Sequence, residues 1–368
     1  MRNYANDASA SKNENRLYLC AVIAGWLLSA IAFVALSFGE NVHAVTPSAD
    51  TVADRPSLTI KPGREFSAES YVHQALSAQT VRDARSELWV ADIQRQIRGN
   101  YGVATVNIDR YSPPLFVVPK DQPTVRVLAA RAEDPRWNFA PLQQQWLDVP
   151  FPNNFEASAG MDKEAIIYQP STGRYWEFWG AEKTGKKISD SAGRKVEEWR
   201  AAWGGKIDEI RNNPGYFPTT SQGYKFGVTA TSLTLLAGLI TIDEQRRGEI
   251  NHALHFSLPE TQANVWRAPA QRTDGQKRDP NAIPQGATFR LPAALAIEAM
   301  EMDPYAKMLA RAVQKFGMIV RDTSGAVAFY AENPLSHGKS HPYFGVDGIL
   351  RCAKGNAESS CYLALNCL

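Results

Sequence analysis

Three short stretches of this sequence hold ionisable side chains in settings where they could do chemistry. In RYWEFW, residues 174–179, side chains alternate along a predicted strand, so Tyr175, Glu177 and Trp179 share one face and Trp176 and Phe178 the other. Aromatic rings cover the apolar faces of pyranose rings, and a carboxylate between them accepts hydroxyl hydrogens or moves a proton, which makes this face a candidate sugar-reading surface. The same pattern also fits a strand with one buried and one amphipathic face, Glu177 being paired to a basic neighbour. In QRTDGQKRD, Arg272 and Asp274 occupy a loop, and the Asp-Gly pair is equally a simple turn. In GEINHALHFSLP, residues 248–259, alternation predicts a strand with Ile250, His252, Leu254, Phe256 and Leu258 on its apolar side, and places His255 on the opposite, solvent-facing side.

A buried histidine needs a partner for each ring nitrogen, because an unsatisfied buried polar group costs about 1–3 kcal/mol. His252 therefore either bolts a loop to the sheet or ends in a cleft as acid, base or ligand. Glycoside hydrolysis needs two carboxyl groups about 5–10 Å apart, often supplied by neighbouring strands or loops. Glu177, His252 and Asp274 are the candidate catalytic residues, and Tyr175, Trp179 and Arg272 the candidate substrate contacts. Glu249 and Asp243 are further carboxylates, but Asp243 and Glu244 open a predicted helix and read as capping and dipole residues. No second ligand lies at a useful spacing from His252, and His337 and His341 fall in a Gly/Pro loop, so neither a metal nor a cofactor is expected. No G-x-S-x-G, H-E-x-x-H or P-loop motif occurs, which leaves serine hydrolase, zincin and nucleotide-binding readings without support.

The elements that must position these residues are mostly β. After residue 100 the chain is a series of short Val-, Ile-, Phe-, Tyr- and Trp-rich runs separated by Pro, Gly, Asn and Asp, which predicts a mainly β, antiparallel β-sandwich, jelly-roll-like, with a few peripheral helices. Two hairpins are read from their turns: Ala165–Gln169 with Arg174–Trp179 across Pro-Ser-Thr-Gly, and Met318–Arg321 with Ala326–Ala331 across Asp-Thr-Ser-Gly. Helices are predicted within 67–99, where Trp89, Ile93 and Ile97 recur at a spacing of four, in ITIDEQRRGE with its Thr241/Glu244 capping box, and over 303–317. RSEL, residues 85–88, resembles a motif of alginate-type polysaccharide lyases, but there the residues lie on a strand; here they fall in a helical pattern without that family's other motifs, so the match is read as chance. Seven of the 9 tryptophans, Trp137, Trp146, Trp176, Trp179, Trp199, Trp203 and Trp266, lie in the central β region, which favours a glycan-binding cleft.

Residues 17–39 carry no charge and are long enough to cross a bilayer, which takes roughly 20 apolar residues. Arg2, Lys12 and Arg16 precede them and no Lys or Arg follows until Arg55, so the positive-inside bias predicts a cytoplasmic tail over 1–16, a transmembrane helix over 17–39 and a linker over 40–65. A helical segment (66–99), the β domain (100–335) and a cysteine-containing tail (336–368) would then lie outside the cytoplasm, at the cell envelope. Val42-His43-Ala44 also fits a signal-peptidase site, which would make the protein secreted. Cys352, Cys361 and Cys367 cluster at the end of the chain. Two of them can form a disulfide, as Cys352 with Cys361 would, while the third is left to join another chain; all three pairings are open. The net charge of +2 and the lack of a basic block argue against a nucleic-acid partner.

GVTATSLTLLAGLITIDEQRRGEINHALHFSLPE, WRAPAQRTDG, DPNAIPQGATFRLP and KFGMIVRD together resemble a broadly distributed bacterial family of secreted proteins with no established activity. The resemblance runs from about residue 115 to 335, and implies a secreted β-sandwich without naming substrate or mechanism. Two functional readings follow: an envelope protein that binds and cleaves a polysaccharide, as a glycoside hydrolase or polysaccharide lyase, or a non-enzymatic, membrane-anchored protein that binds a glycan or a protein. A cleft that gathers Glu177, His252, Arg272 and Asp274 favours the first; dispersed or salt-bridged groups favour the second.

Overall fold

The computed structural model describes residues 65–131, 139–338, 342, 343 and 349. The expected membrane helix at 17–39, nearly all of the linker, and Cys352, Cys361 and Cys367 lie outside the described residues. Among the described residues, no helix is long and apolar enough to cross a membrane.

The domain is mainly β. A turn of 3-10 helix at Tyr71–His73 leads to α1 (Ser86–Gly99), β1 (Thr105–Asn107), β2 (Leu115–Val117), β3 (Thr124–Val125) and β4 (Leu128–Ala129). The short α2 (Ala140–Gln143) precedes β5 (Val149–Pro150), β6 (Ala165–Gln169), β7 (Arg174–Trp179), β8 (Glu182–Ser189), β9 (Lys195–Ala201) and β10 (Trp203–Ile207). A long connector then reaches α3 (Ile242–Arg247), followed by β11 (Leu254–Leu258), β12 (Thr288–Phe289), α4 (Pro304–Lys315), β13 (Met318–Thr323) and β14 (Ala328–Tyr330). The strands form a five-stranded sheet in the order β1-β14-β11-β13-β12, a four-stranded sheet β10-β7-β6-β2, and smaller sheets β4-β9-β8 and β3-β5. The sheets are mixed rather than antiparallel throughout, since β1 with β14, β11 with β13, β2 with β6 and β4 with β9 run parallel.

Elements set by local signals form where the sequence puts them. The first hairpin pairs β6 with β7 from Ala165↔Phe178 to Gln169↔Arg174, and its turn closes on Gly173 at φ 71°, a left-handed conformation that suits glycine. Thr241 accepts from the Glu244 amide and Glu244 reaches back to the Thr241 amide, a complete capping box, while Gly248 ends α3 in the left-handed region. Tyr305, Met308, Leu309, Ala312 and Val313 of α4 are buried in the same apolar core as Trp89, Ile93 and Ile97 of α1 and Leu254, Phe256, Leu258, Val320 and Phe329 of the five-stranded sheet. The helix in the 66–99 segment is thus part of the β domain's core.

Two expectations fail, for one reason. Met318–Arg321 and Ala326–Ala331 do not form a hairpin, because β11 lies between them, parallel to β13 and antiparallel to β14, with the Ser324 amide bonded to the Leu258 carbonyl at its end. A strand inserted from sixty residues upstream leaves no mark on the turn sequence. As the central strand, β11 is covered on both faces, so all five of its residues are buried and alternation along it carries no inside–outside contrast. His255, expected to face solvent, is fully buried; its Nε2 is 3.1 Å from the Tyr71 hydroxyl and its ring packs on the backbone of Gly238. Burial holds its pKa well below the ordinary histidine range, with Arg321 and His252 adding to the effect.

The contact with Gly238 leaves no room for a Cβ. Gly238→Ala is expected to destabilise the domain by about 1–3 kcal/mol, as overpacking does, and His255→Ala in the same chain to recover part of that loss. Urea unfolding of the three variants checks this; a Gly238→Ala protein as stable as wild type contradicts the packing.

Candidate functional site

The connector from Phe226 to Ile240 has no strand of its own, yet residues 231–240 are all buried. Buried peptide groups must find partners, and here buried acids supply several of them. Glu177, on β7, accepts from the amide of Val228 (2.6 Å) through Oε1, and from the amide of Leu235 (2.9 Å) and the Tyr175 hydroxyl (2.6 Å) through Oε2. Across the connector, Asp322 on β13 accepts from the Ala230 amide (2.8 Å), and the Thr231 hydroxyl donates to the Arg321 carbonyl (2.8 Å). Arg272 Nη2 donates to the carbonyls of Gly227 and Thr229, both at 2.8 Å.

These contacts gather a set of charges at one end of the connector. Arg321 is 1% exposed and its guanidinium lies over the Tyr330 ring, 3.4 Å from the centroid. The β11–β13 register slips between Phe256↔Val320 and Ser257↔Asp322, which leaves Arg321 as the extra residue of a bulge, a device that re-aims a side chain. Burial works against its charge, but Tyr330, Glu164, Asp322 and Glu177 outweigh that and raise its pKa. Its Nε is 3.6 Å from Asp322 Oδ2, and neither Nε nor Nη1 makes a hydrogen bond.

The acids also shift upward, which in their case favours the neutral form. Burial pushes Asp322 up to about 7, with Arg321 opposing and Asp274 and Asp162 reinforcing the rise. Glu164 is pushed up to about 8, again by burial first. Glu177 is raised by burial despite its four partners, Tyr175, Leu235, Val228 and Arg321. Burial lowers Arg272, against the pull of Asp322, Glu177 and Asp274. Asp322 differs from the other two raised acids in keeping 22% of its side chain accessible. Asp274 is exposed, its Oδ1 accepting from Gln285 Nε2 and from the Thr323 hydroxyl (2.8 Å), next in sequence to Asp322.

The predicted site residues thus divide. Glu177, Arg272 and Asp274 come together electrostatically, but Glu177 and Tyr175 are fully buried and pin the connector instead of facing a sugar. Trp179 is half-buried at the margin, its Nε1–H donating to Asp162 Oδ1 (3.0 Å). His252 stands apart from this set as a bolt: its Nε2 is 3.1 Å from Glu244 Oε1 and its Nδ1 2.8 Å from the Ala253 carbonyl, so both ring nitrogens are engaged. Asp243 lies in the first turn of α3, and Glu249 follows the Gly248 that ends it. Asp322, Glu164 and Arg321 are what residue-by-residue reading missed. The signal for Arg321 and Asp322 is in MIVRD, where two charges continue an apolar run without alternation, as on a strand buried on both faces whose charges must be matched.

No family model, curated protein or solved structure matches the chain. Among the described residues, no three His, Cys, Asp or Glu side chains converge as metal ligands. What the site offers is a raised, partly accessible carboxyl at Asp322 within electrostatic reach of the exposed Asp274, with Arg272 holding two connector carbonyls.

The His252–Glu244 pair has a pH signature. Its glutamate partner, against burial, raises His252 to about 9, above the ordinary value near 6.5, while Glu244 is lowered despite burial by His252 and Thr241. The histidine's contribution is complete below about 6.5 and lost as pH rises through about 9, and that of Glu244 is lost on acidification below the ordinary carboxylate range. Removing one partner of such a pair costs about 3–5 kcal/mol. The stability gap between wild type and His252→Gln, measured by urea unfolding, is expected to be widest just below about pH 6.5 and to shrink as pH rises through about 9; a gap independent of pH contradicts the pairing.

Proposed function

We propose that the β domain binds a polysaccharide of the bacterial cell envelope and cleaves its glycosidic bonds with Asp322 and Asp274. The observation that carries this reading is the raised, partly accessible carboxyl of Asp322 within electrostatic reach of Asp274 and Arg272. In the reaction, protonated Asp322 gives its proton to the glycosidic oxygen as the C–O bond breaks, and water adds to the anomeric carbon while losing a proton to the Asp274 carboxylate. Arg272 fixes the Gly227 and Thr229 carbonyls and so the connector that carries the Asp322 partner, Ala230.

Aromatic rings on the neighbouring strands support a sugar as ligand. Trp203 pairs in register with Trp179 across β10 and β7, and stacks with Phe226 and Phe139 beside Tyr224. We read the two larger sheets as layers of a sandwich with the connector between them, a reading supported by Glu177 on one sheet and Asp322 on the other bonding amides of the same segment. The uncharged apolar run at 17–39, the sequence cluster of Cys352, Cys361 and Cys367 and the resemblance to secreted proteins support an envelope location. Binding without cleavage is the second reading, favoured by the structural engagement of Glu177 and His252.

Full-chain protein screened against peptidoglycan, alginate, laminarin and amylose is expected to release product from one of them, at a rate that falls as pH rises through about 7 and the donor proton is lost. Asp322→Asn is expected to keep binding and lose about 100-fold or more in rate. Binding with no product from the wild type removes cleavage and leaves the binding reading; full activity in Asp322→Asn removes Asp322 as the acid.

A further inference from the structure

Trp266 is 43% exposed, and among the described residues it is the exposed tryptophan, the others being buried or half-buried. Exposing so large an apolar surface has a cost, and isolated cases need no explanation; this ring, however, is held. Lys225 lies 5.0 Å from its centroid on one side, and the Lys225 ammonium is itself fixed by the Gln271 carbonyl at 2.8 Å. The backbone beneath is equally fixed: Trp266 bridges to Gln285, the Arg267 amide donates to the Gln285 carbonyl (2.8 Å), and Gly286, at φ 84°, admits the Arg267 carbonyl so closely that a Cβ has no room. The Gln285 side chain then bonds Asp274 in both directions, Nε2 donating to Oδ1 and Oε1 accepting from the Asp274 amide (3.2 Å). One residue thus couples the loop bearing the ring to the acid proposed to activate water.

We propose that Trp266 is the stacking platform of a sugar subsite next to Asp274, its free face taking the apolar face of a pyranose ring of the bound polysaccharide. The inference rests on the polysaccharide reading of the site. A platform prearranged by Lys225 and Gln285 binds without ordering a mobile aromatic, so its contribution appears in affinity and not in the chemical step. Because stacking requires only a flat aromatic face, phenylalanine retains most of it and alanine none.

The experiment uses full-chain wild type, Trp266→Ala, Trp266→Phe and Asp322→Asn, with peptidoglycan, alginate, laminarin and amylose as probes and with both turnover and equilibrium binding measured. The expected result, on whichever polymer the wild type uses, is a rise in KM or Kd of about tenfold for Trp266→Ala with kcat within about twofold, the order of one aromatic stacking contact. Trp266→Phe is expected to stay within about threefold of wild type, and bound polymer to shield the indole from iodide quenching in wild type and in Asp322→Asn alike. Unchanged affinity in Trp266→Ala, or a loss confined to kcat, overturns the subsite while leaving the cleavage proposal intact. Failure of the wild type to bind any of the four polymers overturns both.

Discussion

The structure turns on a segment that has no strand of its own and pairs through isolated bridges at Leu233 and Ile240. Residues 226–240 run largely buried, bonded to Glu177 of one of the larger sheets and to Asp322 of the other, and buried peptide groups must be satisfied by something other than water. The fold answers partly with backbone bonds, such as those of Gly227 to Gly204, Thr234 to Gly215 and Ile240 to Tyr330, and partly with side chains: Glu177 takes the amides of Val228 and Leu235, Asp322 takes that of Ala230, and Arg272 takes the carbonyls of Gly227 and Thr229. The next helix begins in the same manner, with the Ile242 amide on Glu332 and the Thr241 amide on Glu244.

Using carboxylates as backbone acceptors forces charge into the interior, and the interior responds by holding protons. Arg321 is a buried cation within electrostatic reach of Glu164, Glu177 and Asp322, and three acids about one guanidinium cannot all ionise cheaply. For Glu177 and Asp322 the raised pKa values accompany their bonds to connector amides. The proposed function enters where this arrangement reaches the surface: at Asp322 a group that bonds the connector becomes partly accessible within electrostatic reach of Asp274, and a carboxyl raised toward neutrality suits acid catalysis of glycosidic cleavage.

How much of this was legible in the sequence depends on the range of the interaction. The 165–179 hairpin, the capping box of α3 and the apolar stripe of α4 are written in contiguous residues and were readable there. The insertion of β11 between β13 and β14 was not, and it defeated the periodicity argument for His255, since a strand covered on both faces has no outer side. Within the site, Glu177, Arg272 and Asp274 stood out by residue type, but type alone could not separate the carboxylate that holds a loop from the one that meets solvent. Asp322 lay in plain view in MIVRD, and only the bulge at Arg321 and the approach of Ala230 make it distinctive.

The central claim is that the environment of Asp322 keeps its carboxyl protonated near neutral pH. Carboxyl carbon chemical shifts of the aspartate-labelled full-length protein, with the Asp322 resonance assigned by its loss in Asp322→Asn, measure that directly as a function of pH. A titration midpoint near the value of about 7 that burial and the neighbouring acids impose is the predicted result, and a midpoint near 3.9, as for an unperturbed aspartate, would contradict it.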